Sequence, residues 1–270
     1  MFSGALKGAV DVDLLCSEKD FLDNVSVGCP VRTVEILTRL TRYGIAFFRG
    51  VDDASGIVKM AQALGTVLPH PDSDTNSVTV ITERRESAGS PLAAGFTRSA
   101  LPSHTDRADL PSPPALLMNL CTVQADSGGE SIFVDGSALH RLLAARAPRA
   151  LHALSQPDAV SYGNSRIYTG PVFEPTGDGR RLVIRMWPQN AGRFSRAAEV
   201  ALRELRQVAA DLTLTIRLEA GQGYVVDNHR WLHGRLAYIG NRVMLRIGIE
   251  PHPGSLETGI SFATQGGAQG

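Results

Sequence analysis

The apolar positions of the chain recur at two periods, and the period changes several times along its length. Over residues 30–44 they fall at helical spacing: Val31, Val34, Leu37 and Leu40 share a stripe, Pro30 suits a first turn and Gly44 a stop. Ile45-Ala46-Phe47-Phe48 is a continuous apolar run of strand length. Residues 53–64, closed by Gly65, predict a second helix, and residues 78–81 a short strand. Residues 82–100 are rich in Ser, Gly and Ala, carry charges of both signs and show no period. They predict a long loop of the kind that forms lids.

In the second half, strand patterns dominate. Residues 115–122 and 131–134 read as strands flanking the turn Asp126-Ser127-Gly128-Gly129. Two short helices start at Ser137 and near Pro148. Strand-like runs follow at 166–173, where Pro171 weakens the pattern, and at 181–186. Residues 195–210 form an amphipathic helix with Ala198, Ala201, Leu202, Leu205 and Val208 on one face. Strands at 212–218, 223–226, 231–236 and 242–249 close the pattern, and residues 264–270 are expected to fray. Neither a repeat nor a linker divides the chain. We therefore expect one domain over 1–270, mainly β with flanking helices and a helical insert at about 137–210.

Composition narrows the function classes. Of 270 residues, 43% are hydrophobic and 20% charged, and the formal net charge is zero. This gives no reason to expect a nucleic-acid or acidic-membrane partner. Three widely spaced cysteines (Cys16, Cys29 and Cys121) argue against a disulfide framework and for a reducing compartment. Residues 1–10 lack a charged segment followed by a long apolar one, and no run approaches membrane-spanning length. The expectation is a cytoplasmic protein.

The candidate chemistry centres on Ser103-His104-Thr105-Asp106-Arg107. In extended chain His104 and Asp106 point to one side and Thr105 to the other, giving two corners of a facial metal site. Asp227-Asn228-His229-Arg230-Trp231-Leu232-His233-Gly234-Arg235 supplies a third corner in His233, with His229 as the alternative. Two histidines and a carboxylate with open positions suit non-haem Fe(II), and also a zinc hydrolase. On the last strand Val243, Leu245, Ile247 and Ile249 alternate with Arg242, Met244, Arg246 and Gly248. One face is aliphatic, and the opposite face carries two guanidiniums that require an anion if buried. His70, His140, His152 and His252 belong to no constellation, and Arg230 and Arg235 read as ion-pair partners of Asp227.

The order His-x-Asp, then Asp-Asn-x-Arg-x-x-His-Gly-Arg, then Arg-x-x-x-Arg resembles the Fe(II)/2-oxoglutarate-dependent dioxygenases of the taurine dioxygenase and clavaminate synthase superfamily. The resemblance begins near Tyr43-Gly44-Ile45-Ala46-Phe47-Phe48-Arg49-Gly50 and runs to Pro251. It implies a double-stranded β-helix, a jelly roll with a cupin-like core and helices outside. It implies Fe(II) on His104, Asp106 and His233, and 2-oxoglutarate and O2 as cosubstrates. Arg242 would grip the distal carboxylate with Ser131, which stands where the family usually has threonine. Arg246 would face the proximal end or the substrate, and Arg98, on the expected lid, is a second candidate substrate contact. The implied reaction is hydroxylation, desaturation or cyclisation at an unactivated C–H of a small molecule, in specialised metabolism, with release of succinate and CO2. The retained carboxylate at Asp106 argues against halogenation. A metal-dependent hydrolase explains the triad without the paired arginines, and a catalytically silent β-barrel binding protein explains neither.

Overall fold

The computed structural model describes residues 3–6, 18–84, 91–163, 168–187 and 192–262. Cys16, Arg166, the centre of the expected lid (85–90) and the expected frayed tail (264–270) lie outside these residues.

The chain begins with β1 (Ser3–Leu6) and α1 (Glu18–Val25). Helix α2 (Thr33–Tyr43) buries Ile36 and Leu40 and leaves Val34 exposed, so its inner face is rotated from the stripe expected. It stops where Gly44 takes a φ of 70°, a left-handed conformation that costs a residue without Cβ little. Strand β2 (Ile45–Arg49) follows, then α3 (Ala54–Leu64), capped by the Asp53 carboxylate accepting the Gly56 N–H at 2.8 Å. Next come β3 (Gly65–Leu68), β4 (Thr79–Ile81), a short 3-10 helix (Pro91–Phe96), β5 (Leu101–His104) and β6 (Leu116–Val123). After β7 (Ser127–Gly128) and β8 (Ser131–Asp135) the chain leaves the sheets through α4 (Gly136–Arg146) and α5 (Pro148–Leu154).

The insert that follows is not purely helical. It carries β9 (Val160–Tyr162), β10 (Tyr168–Gly170), β11 (Phe173–Pro175), β12 (Arg181–Ile184) and β13 (Gly192–Phe194) before α6 (Arg196–Asp211). The single strand expected around 166–173 is two short ones separated at Pro171 and Val172, because proline has no N–H to offer a ladder. The chain ends with β14 (Leu214–Arg217), β15 (Gln222–Asp227), β16 (Trp231–Arg235), β17 (Tyr238–Ile239), β18 (Val243–Pro251) and β19 (Ile260–Ser261).

Two antiparallel sheets make the core. One has the order β1-β14-β8-β16-β5 and the other β2-β15-β6-β18-β3, with β4 also pairing β18. Strands β5 and β6, and then β14, β15, β16 and β18, alternate between the two sheets, as in the jelly roll expected. Between them Phe47, Phe133, Tyr224, Trp231, Ile216 and Met244 form one buried cluster. On the outer side of the β2-containing sheet, Leu245, Ile247 and Ile249 pack with residues of α2 and α3, so the aliphatic face of β18 is core as expected. A separate cluster fills the insert, with Ala198, Leu202 and Leu205 of α6 against Leu139, Leu143 and Leu154.

Candidate metal centre and its cavity

Strand β5 ends at His104, directly opposite His233 of β16 in the ladder, and their rings lie 4.5 Å apart. The strand stops there, so alternation along an extended chain does not bring Asp106 to the same point. Asn228 does. Its Oδ1 accepts the Asp106 N–H at 2.7 Å, and its Nδ2 donates to the carbonyls of Asp106 and Pro114 at 3.0 and 2.9 Å. Thr105 faces away, as expected: its N–H donates to the Met186 carbonyl at 2.7 Å, and its hydroxyl accepts the Met186 N–H at 3.0 Å. Arg107, just past the carboxylate, takes a φ of 54°, a left-handed conformation uncommon outside glycine. The result is a buried trio in which one ligand atom each from His104, Asp106 and His233 lies within 4.8 Å of the others.

The protonation states suit a cation. Burial lowers both imidazoles below the ordinary histidine value, which leaves them neutral with a lone pair to donate. His104 Nδ1 donates to the Pro102 carbonyl at 2.9 Å, so its Nε2 is the available atom. His233 Nδ1 is buried and has no hydrogen-bond partner. Burial alone would raise the Asp106 carboxyl, but the guanidinium of Arg246, then His233 and His104, hold it below the usual range. Arg246 Nη1 donates to Asp106 Oδ1 at 3.0 Å, and its Nη2 lies 3.2 Å from His70 Nε2.

The trio opens on a cavity of about 360 Å³ lined by both sheets and by the 91–96 helix. Strand register divides its wall into two rows. The metal row holds His104 and His233 on one sheet and, on the other, Tyr224, Asn119 and Arg246, paired in that order across β15, β6 and β18. The second row holds Ser131 opposite Arg235; Arg242, just before β18 and four residues from Arg246, lines the cavity from the facing sheet. Rows two residues apart on a strand are separated by roughly 7 Å. Arg242 is only 5% exposed and burial lowers its pKa; its Nε donates to the Gly129 carbonyl at 3.1 Å. It has no carboxylate at ion-pair distance among the described residues. Gly129 is itself required: its φ is 75°, and a Cβ there would stand 3.0 Å from Arg242 Cδ.

Other residues lie where the sequence did not place them. His70, read as a surface histidine, lines the cavity against Arg246, and burial followed by that guanidinium holds its pKa at about 4. Arg98 is half-exposed, pairs with Glu83 at 2.8 Å and is not among the cavity-lining residues. Arg230 pairs with Asp135 through two 2.8 Å contacts rather than with Asp227. Arg235 instead donates to the carbonyls of Thr97 and Ser99, tying the end of the expected lid to the histidine strand. Arg84 stacks on Phe96, 3.6 Å from the ring centre, so residues 91–99 are anchored at two points. His229 bonds Thr258 and the Pro113 carbonyl, apart from the trio. No local motif marks His70 or Asn119: Asn119 reaches the cavity through the register of β6, and His70 through the segment that follows β3.

Two imidazoles and a carboxylate at the end of a jelly roll are a donor set that suits non-haem Fe(II). The chain belongs to the taurine catabolism dioxygenase TauD, TfdA family, whose model matches residues 24–247. Among curated relatives it is 32% identical to a gamma-butyrobetaine dioxygenase from Pseudomonas sp. (strain AK-1), over 53% of this chain and 40% of the relative. It is 29% identical to the mitochondrial trimethyllysine dioxygenase of Rattus norvegicus, over 54% and 39%. The matches thus span less than half of these relatives' length. Among solved structures the fold matches asparagine oxygenase (AsnO), with a TM-score of 0.67, 18% identity and coverage of 85% and 84% of the two chains. It also matches the non-heme iron oxygenase OrfP in complex with Fe and alpha-ketoglutaric acid, with a TM-score of 0.61, 16% identity and coverage of 80% and 78%. No helix among the described residues is long and apolar enough to cross a membrane.

Proposed function

We propose that the protein is an Fe(II)/2-oxoglutarate-dependent oxygenase that oxidises an unactivated C–H bond of a small polar molecule in specialised metabolism. The observation that carries this reading is the pairing of two features in one cavity. A neutral, neutral, anionic donor trio stands at one end, and at the other a buried guanidinium lacks a carboxylate partner. A zinc hydrolase needs only the first.

His104, Asp106 and His233 would hold the metal, leaving positions open. When bound, iron supplies the redox chemistry, coupling O2 and the loss of CO2 from 2-oxoglutarate to C–H oxidation, with succinate as coproduct. The rest is the work of the chain. Arg242 receives the distal carboxylate, and the Ser131 hydroxyl donates to the same group. Arg246 holds Asp106 in place and, with His70 against its other amine, lines the cavity beside the trio that would hold the metal. Phe96, Ile81 and Trp187 wall the cavity and exclude water around the reacting centre.

The mouth carries charges of both signs, Arg107 with Asp109 and Asp72 near His70. Such a rim suits a zwitterion, and solved relatives in fold were crystallised with hydroxyasparagine and with (3S)-hydroxy-L-Arg. We therefore place amino acids and their derivatives first among substrates. The test is succinate release, with Fe(II) and 2-oxoglutarate, against amino-acid, peptide, nucleoside and sulfonate panels. Release stimulated by one class identifies the substrate; zinc-dependent hydrolysis without consumption of 2-oxoglutarate would replace the reading.

A further inference from the structure

Asn119 is a buried amide whose Nδ2 has no hydrogen-bond partner. It sits in the middle of β6, 4% exposed, and lines the cavity. Its Nδ2 is enclosed and makes no hydrogen bond. An amide N–H2 left unmade in the interior carries a desolvation cost, so a group held there commonly serves a ligand. An alanine or leucine would fill a strand interior without that cost.

The ladder fixes what Asn119 can reach. Its neighbour on β18 is Arg246, whose guanidinium is 3.0 Å from Asp106 Oδ1, and its neighbour on β15 is Tyr224. Asn119 therefore belongs to the metal row, while Arg242 and Ser131 belong to the other. An N–H donor is complemented by an acceptor oxygen, and the cavity that Asn119 lines also holds the buried Arg242, which has no carboxylate partner among the described residues and favours an anionic occupant.

We propose that Asn119 recognises the chelating end of the cosubstrate: its Nδ2–H donates to an oxygen of the 2-oxo-carboxylate beside the metal. This rests on the oxygenase reading above. It adds a third protein contact to the cosubstrate, at the end opposite Arg242, and accounts for a polar side chain within the apolar run from Leu116 to Cys121. Tyr224, Met118 and Leu120 around it are buried.

The experiment is anaerobic calorimetry on Mn(II)-loaded protein, which binds without turnover. The probes are 2-oxoglutarate and oxalate, the latter carrying the chelating end alone. Asn119→Leu and Asn119→Ala should each weaken both probes by about five- to thirtyfold. Asn119→Asp, the same shape with a like charge, should weaken both further. Arg242→Ala should weaken 2-oxoglutarate and leave oxalate unchanged. Metal affinity, and the far-UV spectrum and melting temperature before ligand is added, report whether each variant is folded. Unchanged binding of both probes to folded Asn119→Ala and Asn119→Asp would overturn the inference, as would loss of 2-oxoglutarate binding with oxalate retained. If wild-type protein binds metal but neither probe, the oxygenase reading itself fails and the inference with it.

Discussion

The two rows of the cavity are built on opposite electrostatic plans. At the metal row the fixed charges meet inside the protein: Arg246 is held by Asp106, and Asp106 by Arg246 and by the Asn228 clamp on its backbone. At the other row Arg242 and Arg235 are buried with only carbonyl acceptors, and burial and Arg242 push Arg235 down to about 10. In the first arrangement the fixed charges are paired within the protein before anything binds. The second is finished only by an incoming anion. A site of this kind keeps its geometry where chemistry happens and uses its unmet charge where affinity is needed.

Removing a member of the complete row should have the largest effect. Asp106→Ala deletes a ligand and leaves Arg246 without its carboxylate, so turnover should fall below detection while the far-UV spectrum persists; full activity would remove Asp106 from the metal assignment. Arg242→Ala attacks the unfinished row. Losing a buried charge-assisted contact should raise the 2-oxoglutarate dissociation constant by the equivalent of about 2–5 kcal/mol, with metal affinity unchanged. If Arg246→Ala instead carries the larger cosubstrate effect, the roles of the two arginines must be exchanged.

Asn228→Ala should behave unlike either. It adds no donor atom to the trio, yet it holds the Asp106 backbone in place, so metal affinity measured by Co(II) titration should fall about 10- to 100-fold. A stability loss with unchanged metal affinity would assign it to packing alone. Ser131→Ala should be mildest, costing about 0.5–1.5 kcal/mol of cosubstrate affinity and nothing in metal affinity.

The same division explains what the sequence could disclose. Local pattern carried the helices α2, α3 and α6 and the aliphatic face of β18, because a few residues at fixed spacing define each. It carried His104, Asp106, His233 and Arg242 as candidates because their spacing forms a motif. It did not carry Asn119 or His70, which become neighbours of Arg246 only when β6, β18 and the segment after β3 are brought together. Nor did it show that Arg235 anchors residues 97–99, which turns part of an apparently featureless lid into a fixed wall. Within the insert it carried the runs that become β10, β11 and β12, but not β9 and β13, each three residues long and too short to show alternation.

The most direct measurement is anaerobic absorption spectroscopy of the protein titrated first with Fe(II) and then with 2-oxoglutarate. The account predicts a weak visible charge-transfer band that saturates at one equivalent of iron. The band should be absent in Asp106→Ala, and in Arg242→Ala it should be restored only at much higher 2-oxoglutarate. A wild-type protein that binds iron and shows no band at any 2-oxoglutarate concentration would contradict it.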